Sequence, residues 1–109
     1  KKGVAMESSH KLYAKFRFTD GEYIQITILP VLLWEKTDTS EYEAIVPYPA
    51  VNTNVNMHSK AIPASDTRLT TVVGEFSAFI SSDNLENEIQ RLNKWAEESE
   101  DREIITYPS

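Results

Sequence analysis

Apolar and polar residues alternate along two neighbouring segments near the start of the chain. In residues 12–19 (LYAKFRFT) nearly every second side chain is apolar, and the same alternation recurs in residues 23–28 (YIQITI). A period of two residues is typical of a strand that buries one face. Asp20 and Gly21 lie between the two segments and indicate a hairpin turn. The pattern therefore predicts a pair of antiparallel strands.

The register of this hairpin can be predicted by requiring that both strands bury the same face. A two-residue loop at Asp20-Gly21 would pair Phe16 with Gln25, which mixes apolar and polar side chains. A three-residue loop at positions 19–21 pairs Phe16 with Ile24, and Gly21 supplies its left-handed residue. Because a slip of one residue would turn every side chain over, we predict the three-residue loop.

Three later segments carry shorter strand patterns. Tyr42–Val46 predicts a third strand that stops at Pro47. Arg68–Ser81 fits a helix or a strand, and its β-branched run together with Gly74 favours a strand with a bulge at that glycine. Ile104–Tyr107 predicts a short last strand.

A long polar connection joins the third strand to the segments that follow. Residues 50–67 include three asparagines, Met57 and His58. Long ordered loops are uncommon and often functional. The connection is therefore either a contact surface or a plain crossing between sheet edges, and the sequence favours neither.

One amphipathic helix is predicted between positions 83 and 101. Asp83-Asn84-Leu85-Glu86 resembles a capping box. Apolar residues then recur at helical spacing, with Trp95 beside them. This stripe consists of Leu85, Ile89, Leu92 and Ala96.

These elements together predict the α+β class. The expected architecture is an antiparallel sheet of four to five strands with one amphipathic helix packed on its apolar face. Such a molecule would present the acidic side of its helix and the polar side of its hairpin on opposite surfaces.

The size and composition predict one domain covering residues 1–109. The chain has no cysteine, which excludes a disulfide framework, a thiol nucleophile and a thiolate zinc site. Met6 suggests that residues 1–10 are a flexible N-terminal segment or begin with a cloning remnant. Neither a signal peptide nor a membrane span is predicted, because no apolar run approaches the ~20 residues that a bilayer requires. These features favour a cytoplasmic location.

Most of the charge imbalance lies in the last third of the chain. Residues 83–103 carry eight carboxylates and three bases, a net charge of −5 out of −6 for the whole protein. Complementary charge speeds association and selects partners. The sequence therefore predicts a basic protein partner that contacts the end of the helix. The candidate partner-binding residues are Glu97, Glu98, Glu100 and Asp101, with Trp95 as an anchor.

This charge pattern favours a small non-catalytic interaction module that occludes a basic surface of its partner. Immunity proteins and phage-encoded inhibitors are small acidic domains of this general kind, an analogy of class only. The plainer interpretation is that the acidic end is a solvated surface that keeps the protein soluble.

Two alternative functions use other parts of the chain. The hairpin could bind single-stranded nucleic acid through an aromatic and basic face, although a net charge of −6 opposes this. In the predicted register Arg17 lies opposite Tyr23, so a cation–π contact would explain both residues without a ligand. A self-assembling structural subunit is the other alternative, because oppositely charged faces and free strand edges could drive homo-oligomers. The nucleic-acid face would comprise Tyr13, Lys15, Arg17 and Tyr23.

The sequence offers no catalytic, cofactor or metal motif. A Ser–His–Asp arrangement could be drawn from Ser59 or Ser65, His58 and Asp66, but no nucleophile elbow accompanies it. Neither histidine, His10 or His58, has the spacing of a metal ligand set. We therefore predict no enzyme activity, no cofactor and no metal.

Overall fold

A computed structural model describes residues 11–48 and 61–106, which form two β-sheets, one α-helix and a short 3-10 helix. The α+β class is thereby confirmed. The strands are β1 (Leu12–Asp20), β2 (Tyr23–Pro30), β3 (Leu33–Lys36), β4 (Tyr42–Pro47), β5 (Ala61–Pro63), β6 (Glu75–Ser81) and β7 (Arg102–Thr106). The 3-10 helix spans Thr67–Thr71, and the α-helix, α1, spans Ser82–Glu97.

The larger sheet has four strands in the order β6-β1-β2-β7 and is mixed. Strand β1 is antiparallel to both β2 and β6, whereas β7 is parallel to β2. The two edge strands, β6 and β7, therefore run in the same direction, and α1 connects them. Two strands of the same direction require a crossover connection rather than a tight turn. The prediction of a purely antiparallel sheet was wrong for this reason.

The hairpin register also differs from the prediction. Its loop has two residues, so Asp20 pairs with Tyr23, and Phe16 pairs with Thr27 rather than with Ile24. Gly21 has a φ of 64°, as expected of a turn glycine. The prediction assumed one buried face. Here both faces of the sheet carry buried side chains, so the apolar residues of β1 and β2 need not share a face.

One face of this sheet belongs to a cluster that also includes the second sheet, and we call this cluster the sandwich core. Phe16 and Leu29 of the larger sheet are fully buried in it. The smaller sheet, in the order β3-β4-β5, contributes Ala44 and Val46, and the 3-10 helix contributes Leu69. The buried members are Ala14, Phe16, Leu29, Val31, Ala44, Val46, Ile62, Leu69 and Val73.

The other face belongs to a second cluster, which we call the helix-side core. Leu92 of α1 is buried there with Ile26, Ile28 and Ile80. Partly buried residues pack against these four. They are Tyr13, Ile24, Leu85, Ile89, Trp95 and Ile104.

Several local predictions need correction. Arg68–Ser81 is not one strand: its first part is the 3-10 helix, and β6 begins only at Glu75. Gly74, with a φ of 94°, precedes the strand, and the break in the β1–β6 register falls between Lys15 and Phe16 instead. The predicted capping box at Asp83 is absent because the N-cap of α1 is Ser81, two residues earlier, and Ser81 makes no side-chain cap hydrogen bond.

The predicted third strand is β4, which ends at Pro47, and the predicted last strand is β7, which begins at Arg102. Strands β3 and β5 were not predicted; β3 follows Pro30, and β5 lies within residues 50–67, for which the sequence predicts a loop. Most of that loop, including Met57 and His58, lies outside the described residues, as do residues 1–10 and Tyr107. No helix in the described part of the chain has both the length and the apolar character needed to cross a bilayer.

Candidate functional site

Four large aromatic side chains remain substantially exposed beside the sandwich core. Trp34 is 47% exposed, Tyr42 63%, and Phe76 and Phe79 are each 42% exposed. Apolar side chains that are exposed singly are ordinary on a soluble protein, whereas a contiguous exposed patch often marks an interaction surface. These four residues therefore define the candidate site.

The aromatic residues lie at a junction of the two sheets. Phe76 and Phe79 come from β6, an edge strand of the larger sheet, and Trp34 comes from β3, an edge strand of the smaller one. The ring centroids of Trp34 and Phe79 are 5.6 Å apart, and those of Phe76 and Phe79 are 4.8 Å apart. Phe76 also meets buried Phe16 edge to face at 5.9 Å. The exposed rings thus continue the sandwich core outward.

The register break in β6 places both phenylalanines on the same face. Phe76 pairs with Phe16 and Phe79 pairs with Ala14, and both of these β1 residues are buried in the sandwich core. In a regular strand, residues three apart would point to opposite faces. The extra residue of a bulge shifts the alternation of side chains by one position, so Phe76 and Phe79 can face the same side. The irregular pairing therefore creates the aromatic surface.

These rings border a groove of about 250 Å³. Ala44 and Ala64 also line it, as do Glu43 and Ser65. The small alanine side chains leave space between the rings. Small-molecule sites usually measure about 300–1,000 Å³. The groove is therefore nearer the size of one or two side chains than of a cofactor.

The groove has one carboxylate residue at its border. Glu43 lines it and accepts a hydrogen bond from the Ser65 hydroxyl at 2.9 Å. Glu35 pairs directly with Glu43 across β3 and β4. Like charges at directly opposite positions destabilise a sheet. Neither carboxylate forms an ion pair within residues 11–48 and 61–106, so a cation supplied by a partner would relieve their repulsion.

The sequence-predicted acidic residues lie elsewhere, at the C-terminal end of α1 and in the turn after it. Glu97, Glu100 and Asp101 are exposed and form no ion pair among the described residues. Glu98 pairs with Arg102, its Oε1 lying 3.3 Å from the guanidinium. These residues form an acidic surface, but they do not line the groove.

Trp95, the predicted anchor of that surface, is partly occupied within the molecule. It packs against the helix-side core. The Arg102 guanidinium carbon lies 5.0 Å from its ring centroid, and Arg102 also donates to its carbonyl oxygen at 2.9 Å. An arginine in this position covers part of the aromatic surface that a partner would need.

The predicted nucleic-acid face is not assembled on one surface. Lys15 pairs with Glu88 of α1 at 3.0 Å, and Tyr13 packs against the helix-side core. Tyr23 pairs with Asp20, which puts it on the opposite face of the sheet from Lys15. Arg17 lies opposite Ile26, so the predicted contact between Arg17 and Tyr23 was wrong.

Tyr23 belongs instead to a polar row between β2 and β7. Its hydroxyl donates to Glu103 at 2.5 Å and lies 3.0 Å from Gln25 Oε1. Gln25 in turn donates to Thr27 at 3.2 Å. The hydrogen bond to Glu103 raises the pKa of Tyr23 to about 12, because removing the phenol proton would break it and place two negative charges together.

Two of the residues in the possible Ser–His–Asp arrangement, Ser65 and Asp66, form other contacts. Asp66 pairs with Arg68, and hydrogen bonds from that side chain lower the pKa of Asp66 to about 2. Ser65 donates to Glu43, while His58 and Ser59 lie outside the described residues. Within the described ranges, no group of three metal-binding side chains is positioned to hold an ion.

Comparisons of this chain with protein-family models, with curated proteins and with solved structures found no match. The site therefore has to be interpreted from its own geometry. Sequence reasoning missed the groove because its aromatic residues come from two distant segments, the adjacent strands β3 and β4 and the much later strand β6. One available signal was the pair Phe76 and Phe79, whose spacing of three does not suit a regular strand with one apolar face.

Proposed function

We propose that this chain is a small, acidic, non-catalytic protein-interaction module whose contact surface is the aromatic groove. The observation that carries the proposal is the cluster of four substantially exposed rings continuous with the sandwich core. Tryptophan, tyrosine and phenylalanine are enriched at protein interfaces, where they supply large buried areas at low entropic cost. A protein partner would remove these rings from water.

The composition of the groove supports recognition rather than catalysis. Its lining includes one carboxylate, Glu43, and one aliphatic hydroxyl, Ser65, joined to each other. Active sites usually combine a larger cavity with several convergent polar groups. The groove is instead mainly aromatic and open to solvent, as expected of a surface that receives a side chain from a partner.

The mode of action in this proposal is occlusion. A module of 109 residues that docks on a functional surface of another protein would block it, as inhibitors and immunity proteins do. The net charge of −6 would steer a basic partner toward the module, and a cytoplasmic setting suits a protein without cysteine. Packing of α1 on the far face of the larger sheet would hold the groove rigid.

A second candidate surface is the acidic end of α1. Glu97, Glu100 and Asp101 are exposed without an ion pair in the described structure, which favours contact with a basic surface. Groove and acidic end lie on different parts of the molecule. A single experiment can therefore distinguish them.

The experiment places the photo-crosslinking residue p-benzoylphenylalanine at one position at a time in the full chain. Phe79→p-benzoylphenylalanine reports on the groove, Glu97→p-benzoylphenylalanine on the acidic end, and Asn87, exposed on α1, serves as the control position. Each variant is irradiated in lysate of the source organism, and adducts are identified by mass spectrometry.

We expect one protein to be captured from position 79 and not from position 87. Capture from position 97 alone would replace the groove with the acidic end as the contact surface. A crosslink from position 79 to a second copy of the same chain would favour the self-assembling subunit. Equal capture from all three positions, or from none, would contradict the proposal.

A further inference from the structure

The groove lies along a strand edge that can accept another strand. Strand β6 is at the edge of the larger sheet, and among the described residues it pairs only with β1. An edge strand presents unpaired backbone donors and acceptors that can template an added strand. At seven residues, β6 is long enough for such pairing.

The side chains of an added strand would reach the groove. Phe76 and Phe79 project from β6 on the sandwich-core face, and Trp34 stands beside Phe79. Successive residues of a strand point to alternate faces, so every second residue of an added strand faces this side. One such apolar side chain can enter the space of about 250 Å³ between the rings.

Charge restricts the chemistry of the partner segment. Glu43 lines the groove and Glu35 lies directly opposite it, without an ion pair in the described residues. A lysine or arginine beside the apolar anchor would offset the repulsion between these carboxylates. A second copy of this chain fits less well, because each copy carries a charge of −6.

We propose that the partner contributes an extended basic segment, which adds to the edge of β6, inserts one large apolar side chain into the groove and places a cation beside Glu43. This inference rests on the proposed function and specifies its partner. Main-chain hydrogen bonds supply affinity in this mode of recognition, and the pocket for alternate side chains supplies specificity.

The test starts from a library of displayed nine-residue peptides with random sequence, selected against the full-length protein. Peptides that also bind the Trp34→Ala/Phe79→Ala double variant are discarded, because they bind outside the groove. We expect an enriched pattern with one large apolar residue and lysine or arginine two to four positions away. Each enriched peptide is then synthesised and its Kd is measured by fluorescence anisotropy.

Matched variants separate the parts of the interaction. The Phe79→Ala variant is expected to weaken binding at least tenfold. The Glu35→Gln/Glu43→Gln double variant is expected to weaken it about threefold to tenfold and to reduce its dependence on salt. The Glu97→Gln/Glu100→Gln variant carries the same charge change at the acidic end of α1 and is expected to leave the Kd unchanged.

Strand addition itself is tested with peptides methylated at alternate backbone amides, which keep their side chains. One of the two methylation patterns is expected to abolish binding and the other to preserve it. Amide hydrogen exchange should slow at alternate residues of β6 when the unmodified peptide is bound.

The outcomes distinguish this inference from the function on which it rests. Groove-dependent peptides that tolerate both methylation patterns and do not protect β6 would overturn strand addition while leaving the groove as the contact surface. Enriched peptides without lysine or arginine would overturn the inference that the partner segment is basic. A library that yields no groove-dependent peptide would overturn this inference, whereas the proposed function would still be decided by the crosslinking experiment.

Discussion

The two faces of the larger sheet are covered differently. On the helix side, the apolar stripe of α1 shares a core with three buried sheet residues, and Lys15 on that face is paired with Glu88. On the sandwich side, the smaller sheet contributes to a larger core, yet four rings beyond it remain exposed. The first face uses its apolar residues within the molecule. The second face leaves aromatic side chains exposed to solvent, which is why we propose that the partner binds there.

The largest expected effect is on the free energy of unfolding, to which the sandwich core should contribute more than the helix-side core. Phe16 is fully buried in the sandwich core, so Phe16→Ala should cost about 3–5 kcal/mol, enough to unfold much of a marginally stable domain. Leu92→Ala in the helix-side core should cost about 2–4 kcal/mol. Urea denaturation of both variants measures the difference.

The two tryptophans report on the two sides separately, because Trp34 is in the groove and Trp95 is at the helix-side core. In Leu92→Ala, we expect the Trp95 emission to change more than that of Trp34, measured in single-tryptophan backgrounds. Equal destabilisation and equal spectral change in both variants would mean that the cores do not differ as described.

A slightly smaller effect is expected at Gly74, which brings the start of β6 against β1. Its φ is 94°, and an added Cβ would overlap the Arg17 carbonyl oxygen. Gly74→Ala should therefore cost about 3 kcal/mol, from backbone strain together with displacement of β1.

Gly21 is the matched control, since its φ is 64° but no atom lies within 4 Å of an added Cβ. Gly21→Ala should cost about 1–2 kcal/mol, the strain term alone. Thermal denaturation of the two variants tests this order. A Gly74→Ala protein as stable as Gly21→Ala would show that β6 is not held closely against β1.

The exposed rings should matter less to folding than to binding. Phe79 is only partly buried, so Phe79→Ala should lose its ring contacts with Phe76 and Trp34 and part of the buried area of a fully buried ring, about 1–2 kcal/mol of stability. Guanidinium denaturation measures this loss, with Phe16→Ala as the buried comparison. A loss as large as that of Phe16→Ala would mean that Phe79 is a core residue and that the groove is not a free surface.

The smallest effect concerns the ion pairs of Glu88. Hydrogen bonds from Arg91, and then from Lys15, lower the pKa of this carboxyl. A lowered folded-state pKa stabilises the protein above the unfolded value of about 4.3, and the contribution disappears as the pH falls through the folded value. Glu88→Gln should lose about 0.5–1 kcal/mol at pH 7 and less at pH 3.

Glu86→Gln is the control for this prediction, because Glu86 is exposed on the same helix and has no ion pair in the described structure. Its stability should follow that of the unmodified protein from pH 7 to pH 3. If Glu88→Gln behaves in the same way as Glu86→Gln, the link between α1 and Lys15 contributes nothing measurable.

The sequence by itself determined the elements whose periodicity is local. The alternation in residues 12–19 and 23–28 specified β1 and β2, and the apolar stripe from Leu85 to Ala96 specified α1. These patterns are visible because a strand or helix that buries one face repeats its apolar residues at a fixed interval. The charge asymmetry was equally a property of the sequence.

Only the tertiary structure decided which face each residue occupies. The register placed Tyr23 away from Lys15 because both sheet faces are buried, which no single strand pattern reveals. Strand β7 is parallel to β2 because α1 crosses from β6 to the opposite edge of the sheet. The groove joins Trp34, Tyr42 and Phe79, whose proximity depends on how two sheets meet. Periodicity carries no information about such contacts between distant segments.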